Sequence, residues 1–399
     1  MALNNDAFAE KFTGELDKII VDKSNVGFMT DNALRAKFVG AKTVKIPNIE
    51  IQGLGGYDRD NGFTKGTIDV SNTAYTMAMD RSRSFSIDRE DLDETGIASL
   101  AGSVMSEFVR TKVVPETDAY TLSKLATLAK NQGQLVTSYD LTKPYEMFNL
   151  LLEEVQEKVG MDEELVCFVN RYVWNALRNS TEFTKTIEVS DFKQGDISLQ
   201  VNKIDNVSII PVTNDKMQTS INFLIGIGDE VRGGFETYSN TQGVYMLMLP
   251  KRAASLVKKS EKIRVFTPEQ NLTADAYKFD YRIYYDVFVK KSYTSSVWAI
   301  LAPSATITGN ANTSKTFNEG SVTGAVSFTI TTSDSSTPKY QWYQCSDKYK
   351  NDAVKLIGET SNSMTFDTNL EVGSYFYFLR VNVGNATEFD TGVCKVIVE

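Results

Sequence analysis

The sequence predicts an α+β fold followed by a separate all-β domain. Through residues 1–302, apolar residues recur first at helical spacing and then with a period of two, so helices and strands are mixed. Beyond Pro303 the chain becomes rich in Ser, Thr and Asn, with short strand patterns and no helical spacing. At 399 residues the chain is longer than one cooperative core usually holds. We therefore expect domains at 1–302 and 303–399.

The composition argues against several classes of function. The chain has no histidine, which removes Ser-His-Asp triads, Cys-His pairs and HExxH zinc sites. We therefore expect no enzyme, no catalytic residue, no metal site and no cofactor, although carboxylate-pair or lysine chemistry stays open. The net charge of −9 carries no electrostatic footprint for tight nucleic-acid binding.

The three cysteines and the first residues of the chain indicate the cellular compartment in which the protein folds. Cys167, Cys345 and Cys394 form no CxxC pair, so we expect buried, reduced thiols. No apolar run approaches the ~20 residues of a membrane span, and the first residues lack the basic-then-apolar order of a signal peptide. These observations predict folding in a cytoplasm without a membrane partner.

Residues 5–21 have apolar side chains at spacings of three to four, which predicts an amphipathic helix. Residues 43–88 then alternate with period two around a Gly-, Asn- and Asp-rich tip at Gly53–Phe63, which predicts one long β-hairpin. The returning strand has a single face of odd-numbered residues: Tyr75, Met77, Met79, Arg81, Arg83, Phe85 and Ile87. A hairpin this long has little core of its own, so we expect a neighbouring chain to cover it.

Helical spacing returns from Ile97 to Leu128 around Pro115, and we interpret this stretch as one long, kinked helix. Two more helices are predicted at 143–159 and 172–179. Short apolar runs predict buried strands at 165–169, 206–212, 222–227, 244–249 and 297–301. The clearest strand pattern is at 278–289, with Phe279, Tyr281 and Ile283 on one face.

Several local motifs have a structural interpretation that we prefer to a functional one. Asp88, Asp91, Asp93 and Glu94 are better read as a negatively charged helix start than as a metal site, because no ligand-loop spacing appears. Gly53-Leu-Gly55-Gly56 and Gly226-Ile-Gly228 favour turns over phosphate loops. Lys258-Lys259 and Lys290-Lys291 are interpreted as solvated edges.

Arg81 and Arg83 stand on the apolar-alternating face of the predicted hairpin. This placement fits contact with an acidic surface on a neighbouring subunit, and simple solvent exposure is the alternative.

The order of these elements resembles the tailed-bacteriophage major capsid proteins of the Hong Kong 97 fold. Three stretches carry the resemblance: Phe108-Val-Arg-Thr-Lys-Val-Val-Pro-Glu-Thr-Asp-Ala-Tyr120, Lys262-Ile-Arg-Val-Phe266 with the residues to Phe279, and Tyr281-Arg-Ile-Tyr-Tyr-Asp-Val-Phe-Val289. The resemblance covers about residues 1–302. It implies an N-arm at 1–40, an E-loop hairpin at 41–88, a spine helix and P-domain at 89–139 and 261–302, and an A-domain at 140–260.

The terminal domain, 303–399, resembles immunoglobulin-like modules. Tyr340-Gln-Trp342-Tyr looks like the strand with the core tryptophan, and Leu370-Glu-Val-Gly-Ser-Tyr375 looks like the corner with its tyrosine. The two cysteines of the family would fall at Tyr377 and near Phe328, so the resemblance implies a sandwich without the inter-sheet disulfide.

These resemblances imply a structural protein that assembles with itself into hexamers and pentamers of an icosahedral head around double-stranded DNA. Separate scaffolding, portal and decoration proteins are its implied partners, packaged DNA is touched only weakly and non-specifically, and the protein resides in the virion after assembly in the bacterial cytoplasm. We expect the terminal domain on the outer surface, in contact with host glycans, so that truncation at Pro303 leaves assembly intact. The alternative is a bacterial surface adhesin.

Overall fold

The computed structural model describes residues 24–33, 37–39, 42–60, 63–89, 104–180, 188–194, 197–204, 206–226, 233–238, 241–309, 312–334 and 336–399. The helix predicted at 5–21 and the residues predicted to begin the long helix, 97–103, lie outside them. The chain divides by its own contacts into two units. The first consists of Met1–Val114, Asp191–Gln200 and Pro250–Ser296, and the second of Pro115–Ser190, Val201–Leu249 and Val297–Glu399.

Strands and helices are mixed in the described part of residues 1–302, so the predicted α+β mixture is confirmed. The strands in chain order are β1 (Lys37–Val39), β2 (Thr43–Ile51), β3 (Ile68–Thr76), β4 (Met79–Asp88), β5 (Leu165–Asn170), β6 (Glu188–Gln194), β7 (Ile197–Ile204), β8 (Val207–Val212), β9 (Ile221–Phe223), β10 (Phe235–Thr237), β11 (Val244–Pro250), β12 (Ala254–Phe266), β13 (Ala276–Val289), β14 (Trp298–Leu301), β15 (Ala305–Thr308), β16 (Thr313–Phe317), β17 (Ala325–Ser327), β18 (Thr329–Thr332), β19 (Lys339–Cys345), β20 (Val354–Lys355), β21 (Ser363–Thr365), β22 (Gly373–Val383), β23 (Thr387–Asp390) and β24 (Cys394–Val398). The α-helices with both ends in the described residues are α1 (Val114–Asn131), α2 (Pro144–Val159) and α3 (Arg171–Arg178). Short 3₁₀ helices occupy Gly27–Ala33 and Lys291–Ser296.

The first unit contains two three-stranded antiparallel sheets. One has the order β1-β2-β3 and the other β12-β13-β4. The predicted hairpin is therefore shorter than expected: it ends at Thr76, and β4 pairs with β13 instead of continuing the hairpin. The reason is that Phe85 and Met79 find partners in Phe279 and Tyr285, far along the chain, which local periodicity cannot reveal.

The helical stretch around Pro115 continues through the proline. Residues 104–108 are α-helical, Val109–Val113 form a π-helical turn, and α1 follows. At the junction the backbone N–H of Val114 donates to the carbonyl of Val109, five residues earlier. Because proline lacks an N–H and its ring clashes with the carbonyl four residues earlier, the wider turn before it keeps the helix continuous. The sequence predicted a kink here, and the structure has a π turn.

The second unit is built around a sheet of order β14-β11-β5-β8-β7-β6. Its centre is fully buried: all residues of β5 and β11 are inaccessible, and β5 runs parallel to β8. This burial explains why these strands read in the sequence as unbroken apolar runs. α2 and α3 contribute apolar side chains to the same core, including Phe148, Leu151 and Leu177.

The last hundred residues, which we call the terminal module (Ala305–Val398), contain only strands in their described part. The main sheet has the order β16-β24-β22-β19-β20, with β23 also pairing with β22, and β15-β18 and β17-β21 are two smaller pairs. The fully buried Trp342 lies in the core between them. The module belongs to the second unit by its contacts.

Candidate functional site

The β2–β3 hairpin has an apolar core only at its base. Val44 and Ile46 are buried there with Val257, Tyr284 and Phe288. Toward the tip the strands stay paired, down to Ile51 opposite Ile68, but their side chains lose this cover. The hairpin is thus an arm whose far half packs on nothing within the described residues of its own unit.

Six large apolar side chains lie exposed on this far half, and we call them the hairpin patch: Ile51, Leu54, Tyr57, Phe63, Ile68 and Val70. Leu54 is 107% and Phe63 90% exposed relative to a reference residue. Among the residues that the structure describes, sixteen large apolar side chains are exposed, and six of them fall within residues 51–70. Such a concentration marks a contact surface, because scattered single exposed residues are the ordinary case.

The described residues of the hairpin tip, which leave out 61 and 62, contact one another. The rings of Tyr57 and Phe63 meet edge to face, with centroids 5.3 Å apart. The Thr64 hydroxyl donates to the Gly56 carbonyl at 2.5 Å, and the Thr67 amide donates to the Gln52 side chain at 3.0 Å. The patch is therefore presented in an ordered shape, which lowers the entropic cost of binding.

The root of the hairpin is fixed to β13 by three hydrogen bonds, and a fourth within β13 holds the Asp286 carboxylate. The Ala78 amide donates to the buried Asp286 carboxylate at 2.9 Å, and the Tyr284 hydroxyl donates to the Met77 carbonyl at 3.2 Å. Tyr75 donates to the Val289 carbonyl at 3.2 Å, and Val287 donates its amide to Asp286 at 2.7 Å. The arm thus leaves the first unit at a defined position.

Arg81 and Arg83 do not lie on the hairpin. They stand on β4, opposite Ile283 and Tyr281 of β13, and both are half-buried. The exposed charge pair of this sheet is Asp80 with Arg282, joined by two hydrogen bonds of 2.9 and 2.6 Å. The hydrogen bond from Arg282 lowers the pKa of the Asp80 carboxyl. The interpretation of Arg81 and Arg83 as part of the hairpin face was wrong, because β4 belongs to another sheet.

The basic pair Lys258-Lys259 was predicted as a solvated edge, and this is wrong for Lys258. Its ammonium lies 3.0 Å from Glu261, and the two side chains are only 15% and 6% exposed. Tyr281 donates its hydroxyl to the other carboxylate oxygen of Glu261 at 2.6 Å. A register shift between Lys258 and Ser260 in β12 accompanies this ion pair.

The motifs considered for metal or phosphate binding gain no support from the described residues. No group of three or more Cys, Asp or Glu side chains there is arranged to hold a metal ion. Of the acidic cluster only Asp88 is described, and it is exposed. At Gly55 an added Cβ would lie 2.9 Å from the Thr64 side chain, so this glycine serves the close approach of the two hairpin strands. Gly226 has a φ of +71°, as in a turn.

The three cysteines are free thiols and all are buried, as predicted. Burial raises the pKa of the Cys167 thiol, and it raises that of Cys345 to about 11. Both thiols are therefore protonated and unreactive at neutral pH. No helix among the described residues is long and apolar enough to cross a membrane.

The terminal module has aromatic packing at the positions that the sequence singled out. Phe328 lies against Trp342, with ring centroids 5.9 Å apart, and Tyr377 lies 6.2 Å from Phe366. The Trp342 indole N–H donates to the Ser361 carbonyl at 2.9 Å. Tyr375 donates its hydroxyl to the carbonyl of Glu371, four residues earlier, at 3.0 Å. These contacts fill the centre of the module without a disulfide.

The sequence matches no protein-family model and no curated protein. Solved structures similar to this chain include the mature capsid of bacteriophage PhiM1, with 12% identity, a TM-score of 0.40, and 65% of this chain and 82% of that one covered. The capsid of cyanophage P-SCSP1u has 10% identity and a TM-score of 0.42, with 66% of this chain and 84% of that one covered. The satellite phage P4 procapsid has 11% identity and a TM-score of 0.43, with 72% of this chain and 90% of that one covered. Identities and TM-scores this low do not assign a function. A function has to be argued from the surface of the chain itself.

Sequence reasoning located the hairpin but described its tip as polar. The signal for the patch was present: Leu54, Tyr57 and Phe63 stand among Gly, Asp and Asn residues, where no core can form around them. A large apolar residue in such a loop has no local reason to be there, which favours a partner.

Proposed function

We propose that this chain is a major capsid protein of a tailed bacteriophage, with a Hong Kong 97-like fold in residues 1–302, that assembles with itself into the hexamers and pentamers of an icosahedral head around double-stranded DNA. The single observation that carries this proposal is the hairpin patch. It lies on an arm that is fixed at its root, ordered at its tip and uncovered between, and a second copy of the chain is the occupant to which we commit.

The physical argument starts from the cost of leaving the patch in water. Full burial of one large apolar side chain stabilises by about 1.5–3 kcal/mol. Six such side chains on one arm supply enough for a contact, after the cost of association is subtracted, but not for a tight dimer. A closed shell repeats the same contact in every subunit, so individually weak contacts sum to a stable particle.

The geometry of an arm favours a ring over a symmetric dimer. If the patch of one subunit lies on a different surface of the next, the contact is heterologous, and such contacts close into rings when the rotation fits. We propose that the β2–β3 hairpin, the part of residues 41–88 that forms the arm, acts as the E-loop in this way. The N-arm (1–40), the spine helix and P-domain (89–139 and 261–302) and the A-domain (140–260) complete the proposed shell fold.

We further propose that residues 303–399 are an immunoglobulin-like module displayed on the outer surface, where host glycans are its ligand. The buried Trp342 and the bond from Tyr375 to Glu371 support the immunoglobulin-like assignment. The proposed location is the virion, after assembly in the bacterial cytoplasm. Scaffolding, portal and decoration proteins are the proposed further partners, and the acidic net charge of −9 favours only weak, non-specific contact with DNA.

The test uses the full chain with Gly53–Phe63 deleted, and a finer variant with Leu54→Ser and Phe63→Ser together. We expect soluble monomers or capsomers and no closed shells, by sedimentation and negative-stain microscopy. The matched control is Leu272→Ser, since Leu272 is 99% exposed in the same unit but off the hairpin, and it should assemble normally. Normal particles from the double variant would reject the assignment of the patch.

A further inference from the structure

The turn between β22 and β23 of the terminal module, Gly384–Ala386, is seated against the six-stranded sheet β14-β11-β5-β8-β7-β6 of the same unit, which we call the mixed sheet. Tyr245 donates its hydroxyl to the Gly384 carbonyl at 2.7 Å, and Asn214 donates its side-chain amide to the Asn385 carbonyl at 3.1 Å. Gln218 donates to the Ala386 carbonyl at 2.8 Å. Three consecutive carbonyls of one turn are thus bound by three side chains of the mixed sheet and its loops.

Thr387, the next residue, joins the turn to the link between the two parts. Its hydroxyl accepts the Gly243 amide at 2.8 Å and donates to the Pro303 carbonyl at 2.7 Å. The Ala302 amide in turn donates to the Gly243 carbonyl at 2.8 Å. The Thr387 hydroxyl therefore hydrogen-bonds both the Gly243 amide, next to the mixed sheet, and the Pro303 carbonyl, where the chain enters the module.

The two surfaces fit closely enough to exclude a side chain. A Cβ at Gly243 would lie 2.5 Å from the Thr387 amide nitrogen and against the Ala386 backbone. A Cβ at Gly384 would lie 2.6 Å from the Tyr245 hydroxyl and 2.7 Å from the Pro303 ring. Gly243 meets the backbone of the turn and Gly384 meets the Tyr245 and Pro303 side chains, which is the packing of a protein interior rather than of two tethered domains.

The centre of this contact is buried, while Asn214, Gly384 and Asn385 at its edge are partly exposed. Ala386 is 1% exposed and packs in the same apolar core as the residues of β5 and β11, while Thr387 and Gln218 are fully buried. Water cannot replace these hydrogen bonds without opening the core, so separating the two parts would leave buried polar groups unpaired. A module joined only by a linker would show none of these features.

We propose that the Gly384–Thr387 turn is a plug for a preformed site on the mixed sheet, made by Asn214, Gln218, Gly243 and Tyr245, and that the plug joins the module and the mixed sheet into one cooperative unit. The module is then held at a fixed angle and is a structural part of the subunit. This replaces the expectation, drawn from the sequence, that the module is an independent addition. The inference holds whether or not the chain forms shells.

The test is hydrogen exchange on the unassembled full chain, followed by mass spectrometry over residues 241–249 and 383–391. Gly243→Ala tests the contact from the receiving side, and Thr387→Val removes the hydroxyl while keeping nearly the same shape. Each should raise exchange roughly tenfold or more in both segments together, because a buried hydrogen-bonded contact is lost. Gly384→Ala should act in the same direction.

The matched control is Gly320→Ala. Gly320 has a φ of +72°, close to the +60° of Gly384, but an added Cβ at Gly320 would meet open space whereas one at Gly384 would meet a filled site. The Gly320→Ala variant therefore reproduces the backbone strain without touching the plug. It should raise exchange near residue 320 and leave residues 241–249 unchanged. Exchange in 241–249 that stays at the wild-type rate in both Gly243→Ala and Thr387→Val would overturn the proposal, as would a rise limited to one side of the contact.

Discussion

The buried carboxylate of Asp286 accepts the backbone amide of Ala78 at 2.9 Å, and this bond fixes the point at which the β2–β3 arm leaves its unit. The other carboxylate oxygen accepts the Val287 amide at 2.7 Å. One buried side chain thus serves both β13 and the connection from β3 to β4.

We therefore expect Asp286→Ala to lower the free energy of unfolding by about 2–4 kcal/mol, since the buried Val287 amide and the partly buried Ala78 amide lose their acceptor. Urea denaturation followed by fluorescence measures this. Asp280→Ala is the control, because Asp280 lies on the same strand but its side chain is about one-third exposed; it should cost less than about 1 kcal/mol. Equal losses for the two variants would show that the buried position of Asp286 does not matter.

The Asp80–Arg282 pair gives a prediction about pH. The hydrogen bond from Arg282 lowers the folded-state pKa of Asp80 below its ordinary value of 3.8. A lowered pKa means that the carboxylate form stabilises the fold above the unfolded pKa, and that this contribution is lost as the pH falls below 3.8 through the folded value. Because the two side chains are 43% and 62% exposed, the effect is small, at most about 1 kcal/mol.

Asp80→Asn should accordingly reduce stability slightly at pH 7 and by less at a pH below the ordinary value of 3.8. Raising the salt concentration should shrink the difference at pH 7, since exposed ion pairs are screened. Thermal unfolding of both proteins at the two pH values checks this. A difference that persists unchanged at low pH would mean that the ion pair is not its source.

The thiols offer a simple check of the interior. Cys167, Cys345 and Cys394 are all buried, and burial raises the pKa of Cys345 to about 11. At pH 8 the folded protein should react with a thiol reagent far more slowly than the unfolded protein, which should show all three groups. Fast reaction of any thiol in the native state would contradict its burial.

The sequence predicted strands well where the pattern is regular and poorly where it is interrupted. β13 was predicted from its strict alternation, and β5 and β11 from their apolar runs. β12 was missed, because the polar residues from Lys258 to Lys262 and the register shift at Ser260 break the alternation. The strand predicted at 222–227 is shorter in the structure, where β9 ends at Phe223.

The candidate site could be predicted only in part, for a related reason. A hairpin can be read from adjacent residues, and its tip at 53–63 was placed correctly. The partner of β4 lies about two hundred residues further along the chain, so no local pattern assigns Arg81 and Arg83 to a second sheet. The plug formed by Gly384–Thr387 was missed for the same reason, since its fit to Gly243 is purely tertiary.

Truncation at Pro303 tests whether the terminal module is an independent addition or a structural part of the subunit. If the module were an independent addition, the remaining chain would fold and assemble as before. The structure predicts instead that truncation uncovers the core around Tyr245, leaves the Gly243 amide without its acceptor, and removes one of the two carbonyls to which the Gln218 side chain donates. Removing Ala386 from the apolar core adds the cost of a cavity.

We therefore expect the truncated chain to be less stable and to aggregate or fail to form shells, as judged by solubility, sedimentation and microscopy. Gly320→Ala in the full chain keeps the plug in place and should assemble, which separates loss of the plug from mild damage to the module. The double substitution Leu54→Ser and Phe63→Ser should instead give a soluble, stable subunit that does not assemble, because it removes only the arm's outer contact. A truncated chain that forms normal shells would show that the plug is dispensable and that the module's role lies wholly outside the shell.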